Sequence, residues 1–172
     1  MTNQRPWRVL FLCTANSARS ILAEAAMQRA GGDRFEAHSA GSTPRGAVNP
    51  AALELLAAEG FDVAAFRSKG WDEFATPGAP PLDFVITLCD SAAGEACPVW
   101  PGRPVTAHWG LPDPAALDDP DARRQAFAGT LRAIETRIGR LLQLPLDEMT
   151  AAEVGRALAD ISAEPSGAGS QA

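Results

Sequence analysis

The chain has 172 residues and a mass of 18.0 kDa, which is the size of one ordinary domain and too short for two. Hydrophobic residues make up 46% and charged residues 21%, so a disordered or fibrous polymer is excluded. The formal net charge of -6 excludes the global basic footprint of a nucleic-acid binder and the basic stripe of an anionic-membrane binder. Any anionic ligand has to be met by a local device.

Residues 8–12 read as a first strand, apolar enough to be covered on both faces. The run from Val9 to Leu12 is far below the ~18 residues of a membrane span, and no export signal is recognisable. A soluble, cytoplasmic protein is therefore expected. In that setting the three cysteines, Cys13, Cys89 and Cys97, argue against a disulfide framework and toward catalytic, redox or metal roles. Residues 20–30 read as helix, stopped by Gly31-Gly32. Residues 34–39 read as a second strand and 41–46 as a turn-rich loop. Asn49 caps, and Pro50 opens, a helix that Gly60 ends.

Residues 61–63 and 71–74 carry no clear pattern, and 76–81, rich in proline, is loop. Residues 83–88 form a strong buried strand and 105–109 a weaker one. Asp119-Pro120 begins a long helix in which Phe127, Leu131, Ile134, Ile138 and Leu141 recur at spacings of three and four. Its interleaved arginines predict a solvated face. After Pro145, Thr150-Ala-Ala-Glu153 is a capping box leading into Val154, Leu158 and Ile161. Short apolar runs alternating with helices predict a single α/β domain built on a parallel sheet. The expected organisation is a main domain over 7–145, an additional helix over 146–162 and a disordered tail over 163–172.

The stretch Cys13-Thr14-Ala15-Asn16-Ser17-Ala18-Arg19-Ser20 concentrates the chemistry. It puts a cysteine at the end of the first strand, an arginine six positions on and a helix directly after. The C-x5-R spacing alone is weak; its strand–loop–helix context carries the reading. Small loop residues let backbone N–H groups turn inward as an anion nest, and the following helix adds its positive end. Arg19 supplies a planar fork for a tetrahedral oxyanion. The same field favours the thiolate form of Cys13, making it a nucleophile, and the Ser20 hydroxyl can hydrogen-bond it.

Cys89 also ends a buried strand, so in a parallel sheet both thiols lie at the carboxyl edge, where ligands bind. Cys97 is eight residues further on. Eight residues of unbroken helix span ~12 Å, whereas a disulfide needs Cα atoms within ~7 Å. A Cys89–Cys97 bond therefore requires the segment between them to loop or unwind, which Gly94 and Pro98 suit. Asp113-Pro114 follows the last strand at the same edge, either as a turn residue or as a proton donor to a leaving oxygen. His38 and His108 are too far apart for a convincing zinc pair and are expected to be structural. Trp100, Trp109 and Phe127 are expected to pack in the core or under loops, not to form a binding surface.

The loop from Cys13 to Ser20 resembles the phosphate-binding loop of the low-molecular-weight protein tyrosine phosphatase superfamily. More narrowly it resembles that superfamily's thioredoxin-coupled arsenate reductases. Further matches are Ser39-Ala40-Gly41, Val48-Asn49-Pro50, 85–89, Cys97-Pro98 and His108-Trp109-Gly110 followed by Asp113-Pro114. They cover about residues 8–142, in the family's order.

The resemblance implies a three-layer fold around a four-stranded parallel sheet flanked by helices. It implies reduction of arsenate to arsenite, with residues 14–20 binding the oxyanion. Cys13 would be the nucleophile, Asp113 the general acid, and Cys13, Cys89 and Cys97 a disulfide relay. No bound cofactor is implied; thioredoxin or a similar thiol reductant would be the partner.

Some members of that family bind a potassium ion at residues matching Asn16, Glu24 and Ser39. Lys69, the chain's lone lysine, falls near a further carboxylate of that site. Either Lys69 is a solvated surface lysine, or its ammonium replaces the ion and leaves activity insensitive to potassium. Two other functions fit fewer residues. A phosphotyrosine phosphatase needs only Cys13, Arg19 and Asp113, and leaves Cys89 and Cys97 without a task. A non-catalytic oxyanion-binding or redox-sensing module would bind anion without turnover.

Overall fold

A computed structural model describes residues 5–89 and 100–163. In chain order the elements are β1 (Trp7–Cys13), α1 (Arg19–Gly31), β2 (Phe35–Gly41), α2 (Pro50–Ala58), β3 (Phe84–Thr87), β4 (Val105–His108), α3 (Pro120–Leu142) and α4 (Ala151–Ala163). The two stretches without a clear sequence pattern contain single 3-10 turns, Val63–Ala65 and Trp71–Phe74. Too short to bury a periodic face, they left no helical signature.

The strands form one four-stranded sheet in the order β2-β1-β3-β4, parallel throughout. Every carboxyl end therefore reaches the same edge. Register pairs Cys13 with Gly41 and Leu12 with Thr87, which puts the end of β1 between two neighbours at that edge.

The unbroken apolar run of β1 follows from its central place. Val9 and Phe11 join a core with Ile21 and Leu22 of α1 and Ile134 and Ile138 of α3. Leu10 and Leu12 point the other way, into a cluster with Leu82, Val85 and Trp100. On that second face, among the described residues, Trp71 and Phe74 pack from a 3-10 turn, and the Trp71 and Trp100 rings meet edge-on at 6.1 Å. All four helices contribute to the first core. Trp100, Trp109 and Phe127 are buried as expected, at 8%, 0% and 1% exposure.

The helix starts follow the cap residues. The Asn49 side chain accepts from Ala51 N–H and that of Asp119 from Ala122 N–H, satisfying backbone donors that a first turn leaves open. Thr150 and Glu153 close a reciprocal box of 3.1 and 2.9 Å. By contrast α1 begins without a side-chain cap, so its first N–H groups remain turned toward the preceding loop.

One expectation needs correction. The arginine face of α3 is not wholly solvated: Arg137 is buried, because the Trp109 and Gly110 carbonyls lie against it and accept from its Nη1 at 2.8 and 3.4 Å. The final helix runs to Ala163, with the Ser162 hydroxyl donating to the Ala159 carbonyl inside it. The tail of 164–172 lies outside the described residues.

Candidate active site

Cys13 is the last residue of β1, and the chain must turn sharply there to enter α1. Asn16 makes the turn with a left-handed φ of 47°, a conformation that asparagine tolerates better than most side chains. The carbonyls of Thr14, Ala15 and Ser17 accept from the N–H groups of Thr43, Arg45 and Asn49 at 2.8–2.9 Å. In a trans peptide the C=O and the next N–H point oppositely. With those carbonyls held outward, the N–H groups of Ala15, Asn16 and Ala18 face the inside of the loop, as an anion nest requires.

Gly41, paired with Cys13, makes this approach feasible. A Cβ there would stand 2.4 Å from the Thr14 carbonyl oxygen and 3.0 Å from the Asn16 nitrogen. Cys13 is a buried residue, 4% exposed, and its sulfur is 2.9 Å from the Ser20 hydroxyl.

Behind the loop lies a buried polar chain. The Asn16 amide donates to Ser20 Oγ at 2.7 Å and to Ser39 Oγ at 3.0 Å. Ser39 donates to Glu24 Oε1 at 2.5 Å, and Lys69 Nζ stands 3.6 Å from that oxygen. Lys69 Nζ also donates to Ser39 Oγ at 3.4 Å and to the Arg67 carbonyl at 3.0 Å. The Lys69 backbone N–H reaches Asn16 Oδ1 at 2.8 Å. Lys69 and Glu24 are only 8% and 7% exposed. Burial pushes the Lys69 pKa below its usual value, and the Glu24 carboxylate opposes that shift.

The facing wall comes from the ends of β3 and β4. Cys89, one residue beyond Leu88, packs against Cys13, with its sulfur 3.5 Å from Thr14 Oγ1. Arg19 Nη1 donates to the Leu111 carbonyl at 2.7 Å. Asp113 accepts from the Ala115 N–H at 2.9 Å through Oδ1. Asp113, Arg19, Cys13 and Cys89 line one cleft, which also receives Arg45.

The predicted site residues other than Cys97 come together, and those of the loop face two ways. Thr14, Ala15, Ser17, Ala18 and Arg19 border the cleft. The Asn16 and Ser20 side chains, both fully buried, turn away from it and bond to one another, to Ser39 and to Cys13. Cys97 lies outside the described residues. His38 and His108 stand on β2 and β4, the two edge strands of the sheet. Sequence reasoning missed Arg45, whose turn-rich loop has no pattern that aims a side chain, and Arg137, hidden by its arginine-rich helix.

Residues 8–155 match the family described as low molecular weight phosphotyrosine protein phosphatase. The match runs into α4, beyond the 8–142 span of the sequence resemblance. An arsenate reductase of Halalkalibacterium halodurans is 34% identical over 148 residues, covering 86% of this chain and 96% of that one. The thioredoxin-dependent arsenate reductase of Corynebacterium glutamicum superposes with a TM-score of 0.59 at 27% identity, covering 83% of this chain and 63% of its own. A low molecular weight protein tyrosine phosphatase from T. tengcongensis superposes equally well, with a TM-score of 0.59 at 25% identity over 80% of this chain and 98% of that one.

Proposed function

The chain belongs to the low molecular weight phosphotyrosine protein phosphatase family, and from that premise we propose that it reduces arsenate to arsenite using thiol electrons. The observation that carries the reading is Cys89. Hydrolysis of a phosphate ester requires one thiol, and here a second buried one packs on Cys13 beside the anion loop. The arsenate reductases among its relatives support the same choice.

Arsenate enters the loop and is held by the inward N–H groups and the Arg19 fork. The Cys13 thiolate attacks arsenic, while Asp113 gives a proton to the departing oxygen, which leaves as water. Cys89 as thiolate then attacks the Cys13 sulfur. The sulfur–arsenic bond breaks, its electron pair stays on arsenic, and arsenic falls from the pentavalent to the trivalent state. Arsenite leaves and a Cys13–Cys89 disulfide remains. Cys97 attacks the Cys89 sulfur, releasing the Cys13 thiolate, and the Cys89–Cys97 disulfide is reduced by a dithiol protein such as thioredoxin.

The test is arsenate-dependent NADPH oxidation with thioredoxin and thioredoxin reductase, comparing wild type with Cys13→Ser, Cys89→Ser and Cys97→Ser. Catalytic turnover is expected in the wild type alone. No turnover in the wild type, with hydrolysis of p-nitrophenyl phosphate that needs only Cys13, would make the chain a phosphatase.

A further inference from the structure

The potassium ion implied by the sequence resemblance does not fit beside Asn16, Glu24 and Ser39, because a charge of the same sign is already there. Lys69 Nζ stands 3.6 Å from Glu24 Oε1 and 3.4 Å from Ser39 Oγ. Two like charges sharing one carboxylate repel strongly at such distances in a buried setting. We propose that the Lys69 ammonium is a tethered cation that positions the anion loop, so the enzyme's nucleophile is held in place without any ion from solution. The proposal deepens the functional reading above and rests on it only for the turnover arm of its test.

The geometry supplies an unbroken route. From Lys69 it runs through Glu24, Ser39, Asn16 and Ser20 to the Cys13 sulfur, with successive separations of 3.6, 2.5, 3.0, 2.7 and 2.9 Å. A second tie is shorter. The Lys69 backbone N–H holds Asn16 Oδ1 at 2.8 Å, and the Lys69 carbonyl accepts from Gly41 N–H at 2.9 Å. The residue therefore grips the left-handed Asn16 from one side and the end of β2 from the other.

Removing the ammonium would leave the buried Glu24 carboxylate with neutral donors, Ser39 and Gln28, at its two oxygens and without its nearest cation, and such a group either protonates or draws in a counter-charge. Either response disturbs Ser39, and through it the Asn16 amide that supports both the loop turn and Ser20. Lys69 touches neither substrate nor reacting sulfur; it is a positioning residue.

The deciding experiment is cation rescue. Wild type and Lys69→Met are compared in equal concentrations of sodium, potassium, ammonium and choline chloride. One readout is arsenate turnover. The other is phosphate protection of Cys13 against alkylation by iodoacetamide, which requires no arsenate chemistry.

The wild type should respond to the four salts within about 1.5-fold, since all share the same screening. Lys69→Met should lose about tenfold or more in kcat/KM and in phosphate affinity in sodium or choline. Potassium or ammonium should restore several-fold of both by entering beside Glu24. In Lys69→Met/Glu24→Gln, which lacks the carboxylate, the rescue should vanish. A wild type activated specifically by potassium overturns the proposal. So does a Lys69→Met protein that is fully active in sodium, or one impaired alike in every salt. If Lys69→Met does not fold, Lys69→Gln serves in the same comparison. A wild type without arsenate turnover, but with salt-indifferent phosphate protection of Cys13, would sink the reductase reading and leave this one standing.

Discussion

The Arg137 guanidinium donates to the Trp109 carbonyl at 2.8 Å from within α3, and in doing so anchors the segment that carries Asp113. Gly110 is held by the same nitrogen at 3.4 Å and Leu111 by Arg19 at 2.7 Å, so three successive carbonyls rest on two arginines. No carboxylate among the described residues forms an ion pair with Arg137. Burial, reinforced by Arg140, lowers its pKa. An Arg137→Met change loses about 2 kcal/mol of charged hydrogen bonding but also removes a desolvated charge, so the net stability change should be small.

The catalytic effect should be larger. Arg137→Met should lower kcat about tenfold, through a slackened Asp113, and alter inorganic phosphate affinity little. In an Asp113→Asn background the same change should cost less than about twofold, the signature of residues acting as a unit. Equal losses in both backgrounds would detach Arg137 from the acid. The check is a double-mutant cycle on steady-state rates, with thermal unfolding of each variant.

Ser20→Ala removes the hydroxyl that stands 2.9 Å from the Cys13 sulfur and one acceptor of the Asn16 amide. A hydrogen bond to a charged group contributes about 1.5–3 kcal/mol. Alkylation of Cys13 at neutral pH should therefore slow by about tenfold to 100-fold, with turnover falling in parallel. Timed iodoacetamide labelling followed by mass spectrometry measures it.

Gly41→Ala would drive a methyl group against the backbone of Thr14, Asn16 and Cys13. Backbone cannot step aside as a flexible side chain can, and overpacking of this kind costs about 1–3 kcal/mol. Phosphate binding should fall sharply because the clash is with the loop itself. Isothermal titration with inorganic phosphate, beside thermal unfolding, separates loop damage from loss of fold.

Lys69 gives a pH prediction with opposite signs for stability and activity. Its pKa is lowered by burial and raised by Glu24, with a further lowering by Arg67 and a raising by Glu73. The unfolded chain thus holds this proton to higher pH than the folded one, up to the ordinary lysine value of ~10.4. Between the two values the unfolded state binds more protons, so this group's contribution to stability rises with pH. Activity should instead decline there, as Glu24 loses its counter-charge. Subtracting the profiles of Lys69→Met from those of wild type, in unfolding temperature and in kcat/KM, isolates both trends. Parallel profiles for the two proteins would contradict the assignment.

What the sequence made legible was whatever leaves a periodic or local trace. β1 and β3 were visible as apolar runs, α2, α3 and α4 through Asn49, Asp119 and the Thr150–Glu153 box, and the anion loop through Cys13, Arg19 and the helix after them. The interactions between distant segments left no such trace. Arg45 reaches the cleft because its N–H is tied to the Ala15 carbonyl, a contact invisible in linear order. Arg137 looked like its solvated neighbours because only the carbonyls at 109 and 110 single it out. Lys69 stands out in the sequence by its rarity, but its burial comes from Glu24 of α1 and Ser39 of β2, far away in linear order.

The Trp71–Trp100 contact on the second face of the sheet has an optical consequence. The chain has 4 tryptophans and 0 tyrosines, so its near-ultraviolet emission comes from indole alone. Trp100 stands three positions after Cys97 and meets Trp71 edge-on, while Trp109 is sealed in the opposite core. In the proposed relay Cys97 is the last thiol to be oxidised, and the indole three positions on is the one expected to report it, with the sealed Trp109 as an internal reference. A change in indole emission on oxidation, reversed on re-reduction, would follow the proposed relay in real time with no label to attach.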